Sequence, residues 1–173
     1  MANELRFLDG DLLFVGGDLA MSADCCCEEG TVYTIECLSN LYTFPDRVTV
    51  DFGSITGAGC CATGIGGVRT LFAESGPAII GGPTRVSMDW SLCDDSAPPP
   101  CGFGNTEQWR LNLFVPCDGS DMTAVAGTRC GGSEVLWRST TLPHQFDFTS
   151  WSTTLPLDGA AGCTPPATVS VNA

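Results

Sequence analysis

Residues 85–92 read Arg-Val-Ser-Met-Asp-Trp-Ser-Leu, a strict alternation of polar and apolar residues. Successive side chains of a β-strand point to opposite faces, so this pattern predicts a strand with one buried face and one solvated face. Residues 108–115, Gln-Trp-Arg-Leu-Asn-Leu-Phe-Val, carry nearly the same alternation. We therefore expect Trp90 and Trp109 to lie in the core of an antiparallel sheet.

The same period of two recurs in shorter stretches along the rest of the chain. The apolar positions are Val48, Val50 and Phe52, then Val135 and Trp137, then Phe146 and Phe148, and finally Val169 and Val171. Roughly eight such strands, separated by breaks rich in Gly and Pro, are typical of an all-β fold. We expect an antiparallel two-sheet sandwich or jelly roll over residues 25–173, with no helix longer than one turn, near residues 37–40.

Residues 1–24 form a distinct opening segment. Residues 7–12, Phe-Leu-Asp-Gly-Asp-Leu, are followed at 14–19 by Phe-Val-Gly-Gly-Asp-Leu, which repeats the pattern F-x-x-G-D-L. Asp-Gly and Gly-Gly pairs accept the positive φ that two-residue hairpin turns require. The segment is either an ordinary β-hairpin or a set of short strands that become stable when several chains stack them. Its docking surface for neighbouring chains would consist of Phe7, Leu12, Phe14 and Leu19.

The chain is strongly acidic. It has 20 acidic residues against seven basic ones, all arginine, and a formal net charge of −13. A surface of this sign repels nucleic-acid phosphates and anionic lipids, so we expect neither as a partner. No apolar run approaches the ~20 residues that cross a bilayer, and Asp9, Asp11 and Asp18 interrupt the N-terminal apolar stretch, so we expect neither membrane insertion nor an export signal.

The chain contains eleven cysteines, which favours disulfide bonds that hold the fold or the assembled chains together. Two pairs flank loops of a length that a disulfide can close, Cys93 with Cys101 and Cys117 with Cys130. Because eleven is odd, at least one thiol is free or bonded to another chain, and the run Cys25, Cys26 and Cys27 is our candidate. The pairing of the remaining cysteines stays open, and a fully reduced, buried set is the alternative.

Metal binding and catalysis find little support in the sequence. Structural zinc sites usually contain C-x-x-C spacing, which is absent, and His144 is the only histidine. No G-x-S-x-G nucleophile motif occurs. We expect no metal, no cofactor and no enzymatic activity, with a sandwich hydrolase as the least favoured alternative.

Three features together resemble a known group of proteins. They are residues 8–17, Leu-Asp-Gly-Asp-Leu-Leu-Phe-Val-Gly-Gly, the cysteine run at 25–27, and residues 163–171, Cys-Thr-Pro-Pro-Ala-Thr-Val-Ser-Val. The combination resembles cysteine-rich β-proteins of tailed bacteriophages and of prophage-like regions in bacterial genomes. The resemblance implies a virion component at the tail or as a capsid decoration, and it brings no catalytic residues.

These observations give one preferred interpretation and one alternative. The preferred one is a structural or host-contacting virion protein, made in the host cytoplasm and functional outside the cell. It would form a homo-oligomer, for which we favour a trimer, and would contact other virion proteins and a host-surface glycan or receptor. The alternative is a free extracellular β-sandwich module that binds a carbohydrate or another ligand, in which Trp151 or Tyr42 stacks against the ligand.

Overall fold

The computed structural model describes residues 5–8, 11–14, 30–57, 66–81, 84–92, 107–130 and 133–173. Within these ranges all regular secondary structure is β-strand, in agreement with the predicted all-β fold. The strands are Leu5–Leu8 (β1), Asp11–Phe14 (β2), Val32–Cys37 (β3), Asn40–Pro45 (β4), Arg47–Asp51 (β5), Val68–Ala73 (β6), Ala78–Ile80 (β7), Arg85–Ser91 (β8), Glu107–Pro116 (β9), Met122–Cys130 (β10), Ser133–Leu142 (β11), Ser152–Ala160 (β12) and Thr168–Asn172 (β13).

Eight of these strands close into an antiparallel barrel. From β8 to β13 each strand pairs with the next along the chain, and β13 then pairs with β5, where Val171 lies opposite Val50. The ring is completed by β5 with β6 and by β6 with β8, where Phe72 lies opposite Ser91. Short β7 adds to β8 beyond the end of β6. The predicted sandwich or jelly roll is therefore wrong, because the first and last barrel strands pair and leave one closed sheet.

The barrel interior is filled by side chains. Eight strands enclose a space that is just wide enough for side chains to fill. The inward positions of β10 next to the tryptophans are small: Ala126 lies opposite Trp137, and Thr128 lies opposite Trp109. These small residues leave room for the indole rings, which are buried together with Phe52. The predicted burial of Trp90 and Trp109 is confirmed.

The β3–β4 hairpin is a separate two-stranded sheet that packs on the barrel core. Phe44 of β4 stacks on Phe148 with 4.9 Å between ring centroids. The indole N–H of Trp90 donates to the carbonyl of Pro45 at 3.1 Å in buried surroundings. We call this hairpin, together with residues 143–151, the cap.

Two predictions about the cap region need correction. The single helical turn predicted at residues 37–40 is instead the turn of the β3–β4 hairpin, where Leu38 and Ser39 both have positive φ. The strand predicted at Phe146 and Phe148 is reduced to one bridge. There the Thr43 N–H donates to the Phe146 carbonyl and the Phe148 N–H donates to the Thr43 carbonyl, each at 2.8 Å.

An antiparallel hairpin of β1 and β2 occupies the N-terminal segment, as the Asp9-Gly10 pair predicts. Leu5 lies opposite Phe14, and Phe7 lies opposite Leu12. Because residues directly opposite each other share a face, and so do residues two apart on one strand, these four positions lie on one face of the hairpin. Leu19, the fourth predicted docking residue, lies outside the described residues.

Candidate interaction surface

A disulfide fastens the cap hairpin to the barrel. Cys37, the last residue of β3, bonds to Cys117, which follows β9, with an S–S distance of 2.02 Å. The predicted pairing of Cys117 with Cys130 is therefore wrong. Spacing alone favoured the shorter loop, whereas the fold brings together residues 80 positions apart. Cys163 is also disulfide-bonded. The predicted pair of Cys93 and Cys101, and the run Cys25, Cys26 and Cys27, lie outside the described residues.

Tyr42 and His144 connect the cap hairpin to the β9–β10 turn. The His144 Nδ1 atom lies 3.2 Å from the Ser120 carbonyl oxygen, which can only accept, so Nδ1 donates this hydrogen bond. The Nε2 atom of the same ring lies 3.5 Å from the Tyr42 hydroxyl and forms a hydrogen bond with it. Burial raises the pKa of Tyr42, while a hydrogen bond with Asn40 acts in the opposite direction. The histidine therefore has a positioning role in the cap.

The two predicted ligand-stacking residues are both buried. Tyr42 is fully buried, and Trp151 is 4% exposed and packs edge-on against Phe148. The other three tryptophans of the chain are buried in the barrel. An indole that stacks on a sugar must present one open face, and none of the four does so in this structure.

One short acidic turn lies beside the cap, at Asp118, and another lies within it, at Asp147. Asp118 accepts hydrogen bonds from the Ser120 hydroxyl and N–H, which lower the pKa of its carboxyl. Asp147 is held in the same way by Thr149, and the pKa of Asp147 is lowered by these bonds. In the described ranges, no group of three His, Cys, Asp or Glu residues is arranged to hold a metal ion. The two aspartates act as turn residues.

Asp46 joins the start of the cap hairpin to the barrel. Its Oδ2 accepts from the Gly30 N–H at 2.9 Å and from the Arg47 guanidinium at 3.0 Å. Burial by itself would raise the pKa of Asp46, but the hydrogen bonds from Arg47 and Gly30 outweigh it, so the pKa is lowered. The ionised carboxylate therefore stabilises the folded state.

We expect Asp46→Asn to lower the free energy of unfolding by about 1–2 kcal/mol at pH 7, since hydrogen bonds to a charged group are lost. A lowered folded-state pKa gives stability that is present above the unfolded-state pKa and is lost as the pH falls through the folded-state value. The difference from wild type should therefore shrink below about pH 4. Urea denaturation from pH 2 to 7 measures it. Asp158→Asn, in an exposed pair with Arg138, should show little change.

Several large apolar side chains of the cap are exposed. Leu38 is 65% exposed, Leu41 is 60%, Val32 is 54% and Phe146 is 46%. Val32 and Leu41 lie on the outer face of the hairpin, Leu38 lies at its tip, and Phe146 lies beside the Tyr42 ring, with 5.4 Å between centroids. An apolar group of this kind marks a candidate interaction surface.

The turn that presents Leu38 has an unfavourable backbone. Leu38 has φ of 49° and Ser39 has φ of 68°, the left-handed region that two-residue hairpin turns use and that Asn and Gly favour. We expect Leu38→Asn with Ser39→Gly to raise the free energy of unfolding by about 1 kcal/mol. Thermal or urea denaturation measures this. Gly119→Ala should have the opposite sign, because the backbone there has φ of 84° although an added Cβ would meet open space.

Comparison with protein-family models, with curated proteins and with solved structures gives no match for this chain. In the described part of the chain we find no helix of membrane-spanning length and hydropathy.

The cap hairpin is not predicted from the sequence. Its turn, Leu38-Ser39, lacks the Gly or Asn that identifies a two-residue hairpin, so the local sequence does not indicate that β3 and β4 pair. A usable signal was present nonetheless. Tyr33, Ile35 and Cys37 alternate on β3, as do Tyr42 and Phe44 on β4, which is the period of a hairpin with one buried face.

Proposed function

We propose that this protein is a non-enzymatic structural or host-contacting component of a tailed-phage virion, at the tail fibre or tip or as a capsid decoration. A barrel filled with indole and phenyl rings supports a scaffold rather than a ligand carrier, because its interior is occupied by its own side chains. A disulfide across 80 residues suits a protein that must remain folded outside the cell.

The observation that carries the proposal is the register of the N-terminal hairpin. Its four apolar positions, at Leu5, Phe7, Leu12 and Phe14, lie on one face. An isolated two-stranded hairpin is marginally stable in water and requires a surface to pack against. Packing of this face on a neighbouring chain or another virion protein would satisfy that requirement, with a trimer as the favoured homo-oligomer.

Deletion of residues 1–24 tests the proposal. We expect the shortened chain to remain folded and soluble and to lose the higher-order assembly that the full chain forms, because the barrel and cap do not include the deleted residues. Analytical ultracentrifugation with circular dichroism measures both properties. An unfolded truncation, or one that still reaches the full-length assembly, would count against the proposal.

A matched pair of point variants separates the hairpin faces without deletion. Leu12 lies opposite Phe7, whereas Leu13 falls on the other face of the same strand. Leu12→Ser should reduce assembly strongly, and Leu13→Ser should reduce it much less. Equal effects of the two variants would argue that the face is not the contact.

Two further observations separate the virion role from the alternative. Genes for capsid or tail proteins are expected beside the gene for this chain, and a neighbourhood of unrelated metabolic genes would contradict the proposal. The carbohydrate-binding alternative predicts glycan-array binding by the isolated chain, for which the described aromatic residues supply no open indole face.

A further inference from the structure

The outer edge of β3 carries backbone groups that point away from its partner strand. In a hairpin with a two-residue turn, the residues next to the turn, here Cys37 and Asn40, form a hydrogen-bonded pair, and hydrogen-bonded and non-bonded pairs then alternate. Val32, Thr34 and Glu36 therefore direct their N–H and C=O groups away from β4. Pro45, which has no N–H, lies opposite Val32, as a non-bonded position allows.

The two edges of the hairpin differ. On the β4 edge, the backbone groups of Thr43 are taken by Phe146 and Phe148. Among the described residues, β3 has no strand partner other than β4, so the outer edge of β3 has no strand paired with it there. Natural edge strands are commonly protected by Lys, Pro or a bulge. β3 pairs with β4 without a register shift and has neither Lys nor Pro in its sequence.

The charge of the hairpin favours a particular partner. The chain has a net charge of −13, so two copies repel each other over most of their surface. Residues 32–45 contain one charged side chain, Glu36. The hairpin is therefore a region through which two copies can approach each other with little repulsion.

We propose that β3 pairs with β3 of a second copy, antiparallel, about a two-fold axis at Thr34. In this register Thr34 lies opposite Thr34 of the second copy, and Val32 lies opposite Glu36. The three outward-pointing residues of each strand then form hydrogen-bonded pairs across the axis, and the two hairpins become one four-stranded sheet.

The side chains fit this register. Thr43 and Thr34 of each copy form a row of four threonines across the sheet, a favourable cross-strand combination. Glu36 falls between Leu41 of its own hairpin and Val32 of the second copy, so the two carboxylates are never directly opposite. The exposed Leu41 of one copy and Val32 of the other then lie in the same row, on either side of Glu36. A sequence that is self-complementary in this way favours a second copy over an unrelated strand.

Cross-linking of the full chain tests the register. Directly opposite, hydrogen-bonded residues have Cα atoms about 5.5 Å apart, which a disulfide can bridge. Thr34→Cys should therefore give a covalent dimer on a non-reducing gel that disappears on reduction. Glu36→Cys is the matched control and should give no dimer beyond wild type, because the two Glu36 positions are about 13 Å apart along the strands. Equal cross-linking of both variants, or of neither, would overturn the proposal.

The dimer equilibrium provides a second measurement. Val32→Lys places an ammonium opposite Glu36 at two symmetric positions and should lower the dimer dissociation constant by about tenfold, whereas Val32→Glu should raise it by a similar factor. Thr34→Pro removes an outward N–H without removing a bond to β4 and should abolish the dimer, while Thr34→Val should retain it. Sedimentation velocity that shows no difference among these four variants would contradict the pairing.

This interface is separate from the N-terminal hairpin, and the experiments distinguish the two. In the Leu12→Ser background, the Thr34→Cys cross-link should persist although higher-order assembly is lost. If Leu12→Ser still assembled as the wild type does, the proposed role of the N-terminal hairpin would be contradicted, and the β3 pairing would not be affected. Loss of the Thr34→Cys cross-link in that background would instead show that the β3 pairing depends on the hairpin, and would overturn the separate interface proposed for β3.

Discussion

Replacing Cys37 and Cys117 together by serine is expected to lower the free energy of unfolding by about 4 kcal/mol. The disulfide closes a loop of 80 residues, and the chain-entropy account gives about this value for a loop of that size. Both cysteines are buried, so the serines also place two hydroxyl groups in a buried position between the cap hairpin and the barrel. Urea denaturation of the double variant and of wild type measures the difference.

The same bond predicts a specific peptide and a specific control. Proteolysis without reduction should release a peptide pair that joins Cys37 to Cys117. With reductant present, the stability gap between wild type and the double variant should close to a small remainder, because wild type then lacks the cross-link as well. Recovery of a Cys117–Cys130 peptide, or a gap that reductant does not change, would contradict the observed pairing.

The strands of the barrel were largely readable from the sequence, but its closure was not. The alternation at 85–92 and 108–115 became β8 and β9, with Trp90 and Trp109 buried as predicted. An alternating pattern indicates that one face of a strand is buried, and this pattern is the same in the strands of a sandwich and of a barrel. The difference lies in the pairing of β13 with β5, strands separated by most of the chain, for which period-2 patterns carry no signal.

The cap shows the same division between local and non-local information. The spacing of the cysteines favoured Cys130 as the partner of Cys117, because the sequence gives the length of the loop between two cysteines but not their distance in the fold. The fold instead places Cys37 beside Cys117 because the cap hairpin packs on the barrel core. Trp151 follows a polar run and was a candidate for ligand stacking, but its packing against Phe148 depends on a contact that forms only in the folded cap.

Trp90→Ala is expected to lower the free energy of unfolding by about 3–5 kcal/mol, as for other fully buried tryptophans. Trp90 is fully buried, lies 6.4 Å from the Phe44 ring between centroids, and donates its indole N–H to Pro45. Its removal leaves a cavity between barrel and cap and an unpaired carbonyl at Pro45. Because this side chain joins two separate sheets, its removal should destabilise both the barrel and the cap hairpin.

The smaller change Trp90→Phe separates packing from hydrogen bonding. A phenyl ring keeps much of the apolar contact with Phe44 but cannot donate to Pro45, so a cost of about 1–3 kcal/mol is expected from the unsatisfied buried carbonyl. Ile79→Ala, on β7 beside β8 and half exposed, is the matched apolar truncation and should change stability by less than about 0.5 kcal/mol. Chemical denaturation measures all three variants. If Trp90→Ala cost no more than Ile79→Ala, the cap would not be packed on the barrel through this ring, and the anchoring of the hairpin would have to come from the disulfide and the polar contacts of Asp46 and His144.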